Sequence, residues 1–477
     1  MHQRPSEAAM PPSDAHFWSI ETISERIKRR ELSPVEVTQA MLDRIERLDP
    51  FYHSYVTVMS AQALAGAQRA EDEIRSGLWR GPLHGVPLAV KDLCFTDDAP
   101  TSAGMSIHRA WVPPHNATVV DRLYEAGAVI LGKLALTEGA YTNNNPAFPY
   151  PVNPWGPAHW AGTSSSGSGV ATALGLCYGS LGSDTGGSIR FPSACNNVTG
   201  IKPTWGRVSR YGIHTLSHTL DHIGPMARSV ADAAAILTAI AGADEHDPTS
   251  RTEAVPDYLA ATHRGISGLR IGIDDRFISS GTHPEVVDAV AAALTVLQHL
   301  GAKARPVTFP SAADAVRGWI DICGAETAQV HAATYPSRAG EYEAGMAGLI
   351  EHGRRVTGAV VAQAWLNRLE FSGRLAAAFA DVDLLLVPTT PGPIPLITDL
   401  AAFGADDQVL LDLIRYTAPF DLSGHPTIVL PCGVSGSGMP LSLQLVGRHL
   451  AEDMLCAAGH AYQQRTAWHL RRPDGAA

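Results

Sequence analysis

Two glycine–serine stretches carry the reactive groups of this chain, Gly162-Thr-Ser-Ser-Ser-Gly-Ser-Gly169 and Gly182-Ser-Asp-Thr-Gly-Gly-Ser188. Glycines let a backbone turn back on itself and present successive N–H groups in one direction, forming a nest that binds negative charge. A serine at the end of such a nest, Ser188, can attack a carbonyl whose oxygen then falls among those amides. The pattern predicts covalent catalysis through an acyl-serine.

A serine nucleophile needs a base. The chain has 20 histidines, yet none lies between Gly162 and Arg190, and no G-x-S-x-G elbow surrounds Ser188, whose neighbours read Gly186-Gly187-Ser188-Ile189-Arg190. The other base open to a serine is a neutral lysine. Lys91 ends the apolar run Val86-Pro-Leu-Ala-Val90, where burial would disfavour its charged form. A lysine at a strand end and a serine in a loop need a relay hydroxyl, and Ser164, Ser165 and Ser166 are all candidates.

From another functional class, the first stretch could be a phosphate-binding nest. Gly162 and Gly167 have P-loop spacing, but Ser168-Gly169 stand where Lys-Ser/Thr is required, so the phosphate-holding charge is missing. Asn143-Asn144-Asn145 reads as loop near the site entrance. Trp155, Trp160, Trp319 and Trp365 read as core or pocket wall. The segments 105–111, 141–150 and 312–380 carry Trp111, Tyr141, Phe148, Trp319 and Trp365, which predict an aryl or otherwise hydrophobic substrate group.

The elements that position these residues alternate. Ser33-Pro34-Val35-Glu36 is a helix start with a serine cap, proline in the first turn and a capping glutamate; the helix is expected to stop at Asp49-Pro50. Further helices are expected over 61–76, 119–126, 170–176, 284–300 and 452–464. Buried strands are expected over 86–90, 128–131, 269–273, 303–309 and 383–387, with a strand pair at 427–430 and 441–445 about the turn Gly436-Ser-Gly438. Strand–helix alternation predicts an α/β sandwich around a largely buried sheet. Residues 1–14 read as a loose tail, 15–477 as one domain, and 312–380 as a helical region over one side of the site.

The formal net charge of −11 argues against nucleic acid and anionic membrane as partners. No secretory leader or membrane-length apolar run is read, and the six scattered cysteines form no zinc spacing, so a cytoplasmic protein with buried thiols is expected.

PLAVKD around Lys91, GTSSSGSG, GSDTGGSIRFPSACNNVTGIKPTWGRVSRYG, DHIGPMARSV, LLLVPTTPGP, YTAPFDLSGHPTIVLPCG and PLSLQLVGR together resemble the amidase signature family, over about 33–468. That resemblance implies a single α/β/α domain with a large mixed sheet and a Ser–cis-Ser–Lys triad. By motif position it implies Ser188 as nucleophile, Ser164 as relay and Lys91 as base, with Ser165 a lesser relay candidate. It implies an oxyanion hole on the N–H groups of Thr185, Gly186, Gly187 and Ser188, and an Asp184–Arg190 pair bracing the loop. Thr163 departs from the pattern, since many members have glycine before the relay serine. His214, His218 and His222, spaced by four, then fall in an ordered turn region. No metal or organic cofactor has a role in this scheme. The implied activity is hydrolysis of an amide-type C–N bond in a small molecule (amide, carbamate or hydrazide), in a protein that is a candidate homodimer. The family's other branch implies an alternative, the glutaminase subunit of a tRNA-dependent amidotransferase.

Overall fold

Eleven strands form one sheet: β1 Tyr55–Val58, β2 Pro87–Lys91, β3 Val129–Leu134, β4 Gly179–Asp184, β5 Thr199–Lys202, β6 His222–Ala227, β7 Arg270–Ile273, β8 Lys303–Pro306, β9 Leu384–Pro388, β10 Thr427–Val434 and β11 Pro440–Gly447. The computed structural model describes Pro12, residues 14–402 and residues 407–476. The tail expected over 1–14 lies, apart from Pro12 and Asp14, outside the described residues.

The strand order is β1-β3-β2-β4-β6-β5-β10-β11-β9-β7-β8. β2 runs parallel to β3 and to β4, and β7 runs parallel to β8 and β9; the other pairings are antiparallel, so the sheet is mixed as expected. Every residue of β2, β3, β4, β6, β9 and β11 is buried, because helices cover the sheet and leave no solvent face.

The helix over Pro34–Tyr52 starts as read, with the Ser33 hydroxyl accepting from the N–H groups of Val35 and Glu36. It runs through Pro50 instead of stopping there. The proline sits in the last turn, where the ring removes a single hydrogen bond, and the His53 N–H still reaches the Asp49 carbonyl at 2.8 Å. The helix expected over 170–176 is Ser166–Ala173, starting inside the first glycine–serine stretch. Three of the seven residues read as the second loop, Gly182 to Asp184, belong to β4. The 312–380 region is helical as expected, with helices Ala313–Val330, Ala344–Arg355 and Gly358–Ala378.

Candidate active site

Parallel pairing brings the two halves of the site together. β2 and β4 are neighbours in register Ala89↔Ser180 and Val90↔Leu181, so their carboxyl ends, carrying Lys91 and Asp184, emerge side by side. This edge of a parallel pair is where open α/β sheets place their ligands. The helix Ser166–Ala173 packs across β4, presenting Ser164 and Ser165 from the loop that precedes it. Gly167 allows this approach, since a Cβ there would lie 2.5 Å from both the Ala135 nitrogen and the Ser54 carbonyl oxygen.

Lys91 is fully buried, and its Nζ lies 2.6 Å from Ser164 Oγ, 2.8 Å from Ser183 Oγ and 2.9 Å from Ser165 Oγ. Burial lowers its pKa from 10.5 to about 7, against the opposing pull of Cys94, Asp184 and Asp221. The two candidate relay serines differ. Ser165 Oγ donates its one proton to the Ser183 carbonyl at 3.2 Å and also accepts the Ser183 N–H at 3.2 Å, so its bonding capacity is taken up by β4. Among the described residues, Ser164 Oγ has no such tie to the backbone. Ser166, the third candidate, lies in the first turn of the helix with its hydroxyl buried and unpartnered among the described residues.

The Thr163–Ser164 peptide is cis. The departure at Thr163 acquires a local function: its hydroxyl contacts the carbonyls of Tyr141 and Thr142, both at 3.0 Å, tying the serine loop to the segment 141–142.

Ser188 follows β4 in the loop Thr185–Ile189 and opens onto a cavity. The carbonyls of residues 185–188 are each held by a donor. Trp319 Nε1 donates to Thr185 O at 2.9 Å, Thr417 Oγ1 to Gly186 O at 2.5 Å, the Phe191 N–H to Gly187 O at 2.7 Å, and the Ser165 N–H to Ser188 O at 3.2 Å. Because a peptide N–H points opposite to the preceding carbonyl, these four bonds fix the directions of the amides of residues 186–189. The expected set of four oxyanion donors needs one correction. The Gly187 N–H points to Asp184 Oδ1 at 2.6 Å and is occupied there, which leaves Thr185, Gly186 and Ser188 of the original four.

Asp184 and Arg190 form a fully buried ion pair beside the loop. The Asp184 carboxylate accepts from the Gly187, Ile189 and Arg190 amides, and from Arg190 Nε at 2.9 Å and Nη2 at 2.8 Å. Burial pushes this carboxyl up, but the Arg190 guanidinium overrides it and holds it well below the usual carboxylate range. Arg190 Nη2 also donates to Asp421 Oδ2 at 2.6 Å, and Nη1 to Thr417 O at 2.8 Å.

Several residues of the site are not singled out by sequence reading. Ser183 is the third hydroxyl on Lys91. Thr417 and Asp421 lie unremarked within YTAPFDLSGHP, although that segment is one of the motifs that carry the resemblance. Asp221 accepts from Thr185 Oγ1 at 2.6 Å and from the Leu216 and Ser217 amides, anchoring the first loop residue; burial raises its carboxyl to about 6.

The cavity over Ser188 has a volume of about 290 Å3. Of the expected wall residues, Tyr141, Trp160 and Trp319 line it, as do Asn143 and Asn144. Trp111, Phe148, Trp155 and Trp365 do not, and Asn145 is buried against Glu138. An unpredicted wall comes from Ile397, Leu400, Leu410, Leu413 and Ile414. The three spaced histidines separate: the His214 ring lies against His108 and His331, whereas His222 Nδ1 bonds Leu220 O at 2.7 Å. All six cysteines are buried and unpaired. Among the described residues no helix is long and apolar enough to cross a membrane.

Comparison with known proteins agrees with this geometry. The chain is 46% identical over 473 residues to a protein named putative amidase AmiD from Mycobacterium tuberculosis, covering 98% of this chain and 99% of that one. It is 38% identical over 491 residues to a glutamyl-tRNA(Gln) amidotransferase subunit from Chloroflexus aurantiacus, covering 97% and 99%. The structure of the peptide amidase of Stenotrophomonas maltophilia superposes with a TM-score of 0.83 at 31% identity, covering 97% of this chain and 99% of that one. The Amidase family model matches residues 36–456. With that match spanning the sheet from the helix before β1 to the helix after β11, the chain belongs to the amidase family, hydrolases of amide carbon–nitrogen bonds.

Proposed function

We propose that this enzyme is a free-standing amidase that cleaves its substrate through an acyl-enzyme on Ser188, with Lys91 as base and Ser164 as relay. The observation that carries the reading is the 2.6 Å contact from Lys91 Nζ to Ser164 Oγ, in an interior that favours the neutral amine. As Ser188 Oγ bonds to the substrate carbonyl carbon, its proton passes to Ser164, whose own proton passes to Lys91. The carbonyl oxygen becomes an oxyanion facing the N–H groups of Thr185, Gly186 and Ser188. Collapse re-forms the carbonyl and breaks the C–N bond as Lys91 returns the proton, through Ser164, to the departing nitrogen, which leaves as a neutral amine. Water then attacks the ester by the same route and releases the acid. Asp184 and Arg190 support the loop and transfer no proton. Carbamates and hydrazides present the same carbonyl and leaving nitrogen, and fall within the same scheme.

Turnover of an acyl p-nitroanilide and aryl carbamate panel tests this, with Ser188→Ala and Lys91→Ala beside the wild type. Both variants are expected to lose activity by at least ~1,000-fold. Full activity in Lys91→Ala would place the base elsewhere. The resemblance to the Chloroflexus amidotransferase protein supports a second reading, glutaminase within a complex, which predicts glutamine-dependent activity only when partner subunits are added.

A further inference from the structure

The pairing of β4 with β6 ends at Asp184↔His222, and the residues just beyond that pair, Thr185 and Asp221, come together. Thr185 opens the nucleophile loop, lines the cavity and carries one of the three amides assigned to the oxyanion. Its hydroxyl donates to Asp221 Oδ1 at 2.6 Å, and its carbonyl accepts from Trp319 Nε1 at 2.9 Å. The preceding carbonyl, Asp184 O, lies 3.3 Å from His222 Nδ1. That nitrogen also lies 2.7 Å from Leu220 O, and a ring nitrogen set between two carbonyl oxygens is the protonated one, so it donates.

These contacts bear on two amides. A peptide N–H points opposite to the carbonyl of its own unit, so the Asp184 carbonyl sets the Thr185 N–H and the Thr185 carbonyl sets the Gly186 N–H. Thr185 is the joint between the two units, and its side chain is where that joint is held.

Asp221 is 5% exposed, and its carboxylate accepts from the Leu216 N–H at 3.0 Å and the Ser217 N–H at 3.1 Å as well as from Thr185. Its own N–H donates to Ser217 O at 2.9 Å, closing the turn. The turn is tied to the helix Ala313–Val330. There the Glu326 carboxylate accepts from the Ser217 hydroxyl and from the amide and hydroxyl of Thr219, and Thr327 Oγ1 donates to Leu216 O at 2.9 Å. The same helix carries Trp319, so the side chain and the carbonyl of Thr185 are held by one bonded unit. Folding the turn needs only the Leu216 and Ser217 amides. The short bond to Thr185 Oγ1 goes beyond that need.

We propose that Asp221 is a positioning residue for catalysis, acting through the Thr185 hydroxyl to hold the Thr185 and Gly186 amides on the oxyanion. This rests on the acyl-enzyme reading above and adds to it a residue outside the triad and the loop.

The test is a double-mutant cycle on kcat for the p-nitroanilide that the wild type turns over fastest. Asp221→Asn can satisfy the Leu216 and Ser217 amides with its one carbonyl oxygen only by turning its NH2 toward Thr185, where it cannot accept. Thr185→Val removes the hydroxyl at constant shape. Each is expected to lower kcat by at least ~10-fold with KM within about threefold of wild type. The double variant is expected within about threefold of the slower single variant, because both remove the same bond. Thr185→Ser, which keeps a hydroxyl, is expected to recover at least ~5-fold over Thr185→Val. Single effects that multiply, a loss confined to KM, or equal kcat in Thr185→Ser and Thr185→Val overturns the proposal, and the last comparison decides alone if Asp221→Asn does not fold. Intact mass after reaction with a p-nitrophenyl ester, with Ser188→Ala as control, separates the two layers of inference. An adduct on the wild type but not on Ser188→Ala, with kcat unchanged in Asp221→Asn, keeps the nucleophile and overturns the role of Asp221. No adduct on the wild type removes the nucleophile assignment, and the role of Asp221 falls with it.

Discussion

If Lys91 is the base, its protonation state sets the pH dependence of the reaction. Burial brings its pKa from 10.5 to about 7. At about 1.4 kcal/mol per tenfold, that displacement amounts to about 5 kcal/mol between the charged and neutral forms, and it raises the neutral fraction at pH 7 from ~0.03% to about half. The sign follows from the chemistry. The active form is the neutral amine, which is populated above the pKa, so kcat/KM for a p-nitroanilide is expected to fall tenfold per pH unit below about 7 and to level off above it. Lys91→Arg keeps the chain volume and a cation but stays protonated at every accessible pH. Its activity is expected to drop by at least ~1,000-fold with no recovery at alkaline pH. A profile flat from pH 5.5 to 9, or an arginine variant with more than a tenth of wild-type kcat/KM, would refute the reasoning, because neither is compatible with a lysine that must lose its proton to act.

Further expectations follow from the same geometry. Ser164→Ala should lower kcat by at least ~1,000-fold and Ser165→Ala by about 10-fold or less, since the Ser165 hydroxyl is already saturated by β4; the reverse order would exchange their roles. Asp184→Ala strips the Gly187, Ile189 and Arg190 amides of their acceptor and leaves Arg190 with Asp421 as its one carboxylate partner, so urea unfolding should show a loss of about 3–5 kcal/mol. A loss under about 1 kcal/mol would mean the loop is held by other contacts. Trp319→Phe keeps an aromatic wall but removes the indole N–H from Thr185 O, freeing the peptide that aims the Gly186 amide. Its kcat should fall about 10-fold. A change confined to KM would make Trp319 a wall residue only.

The chemistry is legible in the sequence because it depends on residue type and local spacing. Ser188, Ser164 and Lys91 stand out as a nucleophile in a glycine nest, a hydroxyl in a second nest and a lysine ending an apolar run. What holds them is not local. Thr417 reaches Gly186 and Asp421 reaches Arg190 across more than two hundred residues, and no periodicity in the sequence signals such contacts. The strands β4 and β6 escape sequence reading for a different reason. Their sequences, GSLGSD with no β-branched residue and HIGPMA with Ile223 alone, lack the enrichment and alternation that mark a strand. Glycine is there because neighbours come too close for a side chain: a Cβ on Gly224 would sit 2.0 Å from Ile201 O, and one on Gly182 would sit 2.9 Å from Ser165 Oγ. Residues that read as loop are strand because the site demands close packing. The wall residues Ile397, Leu400, Leu410, Leu413 and Ile414 escape notice because aliphatic residues in short helices are indistinguishable, in sequence, from ordinary core.

The place of Asp184 beside the loop Thr185–Ile189 explains why one amide is withheld from the oxyanion. Asp184 must hold the loop firmly, yet a carboxylate near a developing negative charge would oppose the reaction. The arrangement resolves the conflict by turning the Gly187 N–H backward onto Asp184, where it joins the Arg190 guanidinium in neutralising that carboxylate. The loop carbonyls are engaged as well, by the Trp319 indole, the Thr417 hydroxyl and the Phe191 and Ser165 amides. Thr185, Gly186 and Ser188, whose amides are not given to Asp184, all line the cavity. In the proposed reaction, a substrate oxyanion on these amides would meet dipoles already held in place, with little reorganisation.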